Sequence, residues 1–150
     1  MTLQDLLYKI SRYAIKEPAV NYAAAGRSLF ELNPSTIKDY AVVFASPTGN
    51  HTWDGDITTY TITLFYLDRL LADNSNDISI FSAAIEVLKD IVRALRNDSD
   101  IVEVGDNINF INFTETERLS DRVCGAYCTV EISVLNATSC TTIEIEDDEE

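Results

Sequence analysis

The 150-residue sequence predicts an α+β domain: a mixed or antiparallel β-sheet of about four to five strands with two amphipathic helices packed on one face. Three observations carry this. Residues 2–16 and 78–96 repeat apolar residues at helical spacing. "TTYTITLFYL" (58–67) and "VCGAYCTVEISV" (123–134) alternate with the period of two that a strand imposes. Only 5 Gly and 3 Pro among 46% apolar residues describe a packed globule rather than a disordered chain.

In the first helix, Leu3, Leu6, Leu7, Ile10 and Ala14 fall at i, i+3, i+4 and i+7 positions. Thr2 and Asp5 have the form of a capping box, and Pro18 stands just beyond the end. In "VNYAAAGRSLFEL" (20–32) a connection precedes a short strand around Arg27–Leu32, closed by the turn signal "NPS". "YAVVFA" (40–45) is apolar throughout and reads as a central strand. "SPTGNHTWDG" (46–55) is then a loop between strands, longer than a hairpin needs.

The strand within 56–70 changes character along its length. Tyr60, Ile62, Leu64 and Tyr66 share one face and Thr59, Thr61 and Thr63 the other, until Phe65 and Leu67 turn that second face apolar. Something must cover it near residue 65, either the chain itself or another copy. "ADNSND" (72–77) breaks the chain before the second helix. The core stripe of that helix is Phe81, Ala84, Ile85, Leu88, Val92 and Leu95, and Arg93 and Arg96 lie at the negative end of its dipole. "INFINF" (108–113) and residues 122–135 supply the last two strands. With both helices on one face, the open face combines Thr59, Thr61 and Thr63 with Thr129, Glu131 and Ser133. Residues 1–136 form a single α+β domain on this reading, and 137–150 an acidic C-terminal tail.

Composition excludes several functions. The net charge is −14, and six of the acids fall in "EIEDDEE" (144–150), leaving −8 on the rest. No basic stripe attracts phosphate, so sequence-specific nucleic-acid binding is not expected, whereas an acidic wall that DNA slides past is compatible with the charge. No stretch approaches the roughly 20 apolar residues of a membrane span. The first residues lack the pattern of a signal peptide, which predicts a chain that stays where it is made. Cys124 and Cys128 share a strand face with Ala126, Val130, Ile132 and Val134, and read as small core residues with free thiols. "DNSND" (73–77) begins like a calcium loop, but Ile78 and Ala84 stand where that loop needs Gly and Glu. "SPTGN" lacks the Lys and spacing of a phosphate loop. His51 beside Asp54 has no nucleophile motif near it. The sequence therefore predicts no enzyme, no cofactor and no metal.

Contact residues are a different matter. Trp53, with His51 in the 46–55 loop, is either a plug on its own domain or an anchor for a neighbour. Arg118, Asp121 and Arg122 in "FTETERLSDRVCGAY" (113–127) form surface ion pairs or fix the register of a contact between subunits.

The succession of an amphipathic N-terminal helix, "LFELNPS", a "YAVVFASP" strand, a Thr-rich strand ending in "FYLDRLLADNSND", a single helix and "FINFTETERLSDRVCGAYCTVEISV" resembles the small neck proteins of tailed bacteriophages, in the tail-terminator or tail-completion fold group. It is most similar to those of crAss-like phages. The resemblance covers residues 1–136 and not the acidic tail. It implies a structural virion protein, made in the bacterial host cytoplasm. Such a protein forms a homo-oligomeric ring in the head–tail connector between portal or adaptor and tail proteins, with DNA passing as non-specific cargo through the lumen. A neighbouring subunit would then cover Phe65 and Leu67, and His51, Trp53, Arg118, Asp121 and Arg122 would belong to the subunit interface. The alternative is a non-catalytic protein-binding module using the polar sheet face and the 46–55 loop.

Overall fold

A computed structural model describes residues 1–28, 40–47, 49–116 and 122–136. Along the chain these form α1 (Leu3–Ile15), β1 (Tyr22–Ala25), β2 (Val42–Pro47), β3 (Thr52–Asp54), β4 (Ile57–Arg69), α2 (Asp77–Arg96), β5 (Ile101–Val104), β6 (Ile111–Glu115) and β7 (Val123–Leu135). The class is α+β as expected.

The strand count is higher than expected. The described residues form a seven-stranded mixed sheet of order β1-β2-β4-β7-β5, with β3 on β4 and β6 on β7. The additional strands are too short to show a period. One is "TWD" inside the presumed loop, and another is "IVEV" directly after α2. A strand not expected from the sequence lies at Tyr22–Ala25, where "YAAA" pairs in parallel with β2 in spite of its poor intrinsic β-propensity. Of the strand expected around Arg27–Leu32, residues 29–32 lie outside the described residues. The "NPS" turn lies outside the described residues.

At the centre, β4 and β7 pair antiparallel without a break from Ile57↔Leu135 to Arg69↔Val123. Thirteen residues in each strand make this ribbon about 43 Å long. One side of it is the main core. Ile62, Leu64 and Tyr66 of β4 meet Cys124, Ala126, Cys128, Val130, Ile132 and Val134 of β7 under both helices, together with Ala41, Val43 and Ala45 beside and in β2. The thiols of Cys124 and Cys128 are free and buried, and burial pushes them up to about 11 and about 12.

Helix α1 starts as its sequence requires. The Thr2 hydroxyl accepts from the Asp5 N–H at 3.1 Å, and the Asp5 carboxylate accepts from the Thr2 N–H at 3.0 Å. Leu6, Ile10 and Ala14 are its buried stripe. In α2 the stripe is turned slightly from the predicted one: Ile80, Val87 and Ile91 are buried with Ala84, Leu88, Val92 and Leu95, while Phe81 and Ile85 are half-exposed. Arg96 closes this helix by donating to the Gly105 carbonyl at 2.8 Å.

Candidate functional site

The second face of the ribbon divides into two halves. In the half flanked by β2 and β6, cross-strand pairing builds two rows: Tyr22–Val42–Leu67–Gly125–Phe113 and Ala24–Phe44–Phe65–Tyr127–Ile111. Residues directly opposite one another share a face, so this half is apolar and aromatic. The Phe65 ring is 5.4 Å from Tyr127, 6.0 Å and edge-on from Phe113, and 6.4 Å from Phe44. Such spacings fall in the range where aromatic pairs attract beyond simple burial. Gly125 permits the tight strand crossing beneath them. A Cβ there would stand 1.7 Å from the Tyr66 carbonyl oxygen.

Leu67, Val42 and Val123 have no accessible surface in the single chain. The cover for Leu67 is therefore intramolecular, and the expectation that a neighbouring subunit supplies it is corrected. Phe65 is half-buried in the same cluster. Both residues belong to a second, smaller core that spans β2, β4, β6 and β7.

The other half is polar, in the register expected. Thr59 and Ser133 share a hydrogen bond of 2.7 Å, Thr63 and Thr129 one of 3.1 Å, and Thr61 lies opposite Glu131. Here β3 returns along β4 through a two-residue turn in which Gly55 has φ of 61°. Glycine accepts that left-handed backbone without steric cost.

Trp53, at the centre of β3, is 75% exposed. Its pairing with Thr58 puts it on the helix side of the sheet, at the edge. Its indole N–H donates to the Gly55 carbonyl at 2.8 Å, and the Asn136 amide donates to the same oxygen at 2.7 Å. The Asn136 N–H also donates to the Asp56 carbonyl at 2.7 Å. The hairpin is thus stitched to the end of β7, and the ring is held outward from a fixed base. His51 Nδ1 accepts from the Thr61 N–H at 3.3 Å, and its ring meets Tyr60 edge-on at 5.3 Å.

Arg122 lies at the opposite end of the ribbon. Its guanidinium donates to the Ala72 carbonyl at 3.1 Å and to Asn74 Oδ1 at 2.9 Å, while its own carbonyl accepts from the Leu70 N–H at 2.8 Å. It fastens the turn between β4 and α2. Arg118 and Asp121 lie outside the described residues. Eleven residues of strand separate the Trp53 end from the Arg122 end, about 36 Å. The sequence-derived contact residues do not form one cluster: His51 and Trp53 share the hairpin, Phe65 and Leu67 the second core, and Arg122 the far turn.

Among the exposed apolar residues that escaped the sequence reading, three lie on strands: Val102 on β5 (49% exposed), Ile111 on β6 (48%) and Leu135 on β7 (57%). Their signal was weak because each sits at or near the end of a short or fading alternation. Val102 and Ile111 lie on the sheet edge opposite the one carrying Trp53.

Titratable groups cluster where α1 meets the connection from α2 to β5. The Lys9 ammonium donates to Asp98 at 2.8 Å and to Asp100 at 3.0 Å, and the Tyr13 hydroxyl donates to the same Asp98 oxygen. Burial alone would raise the Asp98 carboxyl, but the bonds from Lys9 and Tyr13 outweigh it and hold the group below its ordinary 3.8. This is a clamp between elements. Among the described residues no group of three or more His, Cys, Asp or Glu is placed to hold a metal ion, and no buried side-chain polar atom lacks a partner. No described helix is long and apolar enough to cross a membrane. The chain matches no protein-family model, and no curated protein shows significant sequence similarity to it.

Proposed function

We propose that this chain is a structural protein that assembles side by side into a ring, in the manner of the phage neck proteins its sequence resembles, and lines a channel between portal and tail. The observation that carries the reading is Trp53, held 75% exposed on a hairpin whose turn is bonded to both the indole and Asn136. A large aromatic presented from a rigid base contributes contact area at little cost in ordering, as interface anchors do.

The exposed apolar groups on the strands at the two sheet edges support a head-to-tail contact. Trp53 lies on one sheet edge and Val102 and Ile111 on the other. A contact between two different surfaces propagates and closes into a ring when its rotation allows. The polar half of the second face carries Glu131, with Glu103 paired across to Ser133, and the whole chain carries −14. Facing a lumen, that charge repels DNA and keeps it moving.

The test is the mass of the native assembly, with negative-stain images of the same sample, for the protein alone and mixed with portal and tail proteins. Rings containing the chain in either condition support the reading. A chain that stays monomeric in both conditions overturns it, and the binding-module reading, resting on the same exposed hairpin and open polar face, takes its place.

A further inference from the structure

Away from the sheet, one surface carries positive charge that the described residues leave unneutralised. Tyr8, Arg12 and Lys16 follow one another along α1 and its C-terminal cap at i, i+4 and i+8, with Lys9 and Tyr13 beside them. With Asp5 they line a groove of about 290 Å³. Lys9 is engaged by Asp98 and Asp100. Arg12 and Lys16 have no carboxylate partner among the described residues. Instead the Arg12 guanidinium lies 5.8 Å from the centre of the Tyr8 ring and the Lys16 ammonium 5.6 Å from that of Tyr13. Tyr8 is 65% exposed. Elsewhere the described cations are occupied: Lys89 and Arg93 pair with Glu86 and Asp90, and Arg96 and Arg122 donate to carbonyl and amide oxygens. Arg69 lies 5.1 Å from the centre of the Tyr40 ring, and Arg27 is engaged as well.

The complementary charge lies in the same chain. Residues 144–150, "EIEDDEE", hold six acids and one isoleucine. The path to them begins in the right place, because the Met1 nitrogen donates to the Leu135 carbonyl at 2.9 Å, which sets the end of β7 beside the start of α1. Thirteen helical residues measure about 20 Å. Fourteen residues beyond Asn136 reach at most about 50 Å. Glu144, eight residues past Asn136, can already stand level with Arg12. Repulsion from an otherwise acidic body favours this surface further.

We infer that the acidic segment 144–150 docks along the Tyr8–Lys16 face of α1 in its own chain. Its carboxylates meet Arg12 and Lys16, and Ile145 lies against the exposed Tyr8 ring. This does not rest on the ring reading, since the groove and the tail belong to one molecule.

The test places a nitroxide on the tail of the full-length chain. Cys140→Ser with Glu149→Cys leaves residue 149 as the accessible thiol, because Cys124 and Cys128 are buried. Amide signals of the ¹⁵N-labelled protein are compared with the nitroxide oxidised and reduced. The inference predicts strong broadening across residues 8–16 at low salt and its loss at high salt. It predicts loss also in Arg12→Glu/Lys16→Glu, with Lys89→Glu/Arg93→Glu on α2 as an unaffected control. If circular dichroism shows the double Glu variant unfolded, Arg12→Gln/Lys16→Gln replaces it. Absent broadening, or broadening that survives the α1 substitutions, overturns the inference. So does broadening that persists at similar strength when nitroxide-bearing ¹⁴N chains are mixed with nitroxide-free ¹⁵N chains, which would assign the groove to the tail of another copy.

Discussion

The two halves of the β4–β7 ribbon share strands, pairing and a helix-covered face, yet their second faces differ. Where β2 and β6 widen the sheet, the second face closes over Leu67, Val42 and Val123. Toward β3 and β5 the face stays polar, with Thr59 opposite Ser133 and Thr61 opposite Glu131. At the boundary Thr63, paired with Ser46 of β2 and with Thr129, is polar but buried. Alternation decides which side a residue faces. What that side meets is decided by the neighbouring strands. The comparison also separates stability from contact: the aromatic half holds the fold together, and the polar half is left to present the hairpin.

Substitutions in the two halves should therefore differ in kind. The largest effect is expected at Gly125, where a Cβ would overlap the Tyr66 carbonyl oxygen. Gly125→Ala should cost about 4 kcal/mol or more, read as collapse of the urea midpoint or loss of cooperative unfolding. Near-native stability would show that β4 and β7 can separate there.

Leu67→Ala removes a fully buried side chain from the second core and should cost about 2–5 kcal/mol by the same measurement. A change below about 0.5 kcal/mol would mean that the residue is not packed within its own chain. For Phe65→Asp, a carboxylate placed among Phe44, Phe113 and Tyr127 should lower stability in the monomer. That makes it a poor probe of assembly.

An intermediate effect is expected at the clamp on α1. The Asp98 carboxyl lies below its ordinary 3.8 in the folded protein, so it contributes stability above that value and loses it as pH falls through the folded value. Asp98→Asn should cost about 1–2 kcal/mol at neutral pH and should flatten the acid limb of the stability profile. An unchanged acid limb would show that Lys9 and Tyr13 do not stabilise this carboxylate. The smallest effect belongs to the polar half. Thr61→Val, half-exposed opposite Glu131, should stay within about 0.5 kcal/mol of the parent.

How much of this was legible in the sequence follows from element length. The 56–70 strand and the Cys124–Val134 face each repeat long enough for a period to emerge, the Thr2–Asp5 capping box is marked by its fixed offset, and each stands where the pattern put it. β1, β3 and β5 have four, three and four residues, too few for any period, and exist because a longer strand offered them an edge. The exposed Trp53 was legible only as a choice between plug and anchor, since exposure depends on what the hairpin packs against. For Leu67, the sequence showed that a cover was needed but not whose. Tyr8, Arg12 and Lys16 stand at helical spacing in the sequence, but which of the charges on α1 find a carboxylate is decided by the connection from α2 to β5, which the helix meets only in the fold.

The most direct test of the central claim uses the only tryptophan in the chain. Because Trp53 is 75% exposed and excitation at the red edge of the absorption band selects indole over the tyrosines, the tryptophan fluorescence of this chain reports the hairpin. Emission and iodide quenching should be followed as the protein assembles, alone or on portal and tail proteins. The account predicts a water-exposed, readily quenched indole in the monomer, shifting to the blue and becoming shielded from iodide as rings form. Rings in which Trp53 keeps its red-shifted emission and full quenching would contradict it.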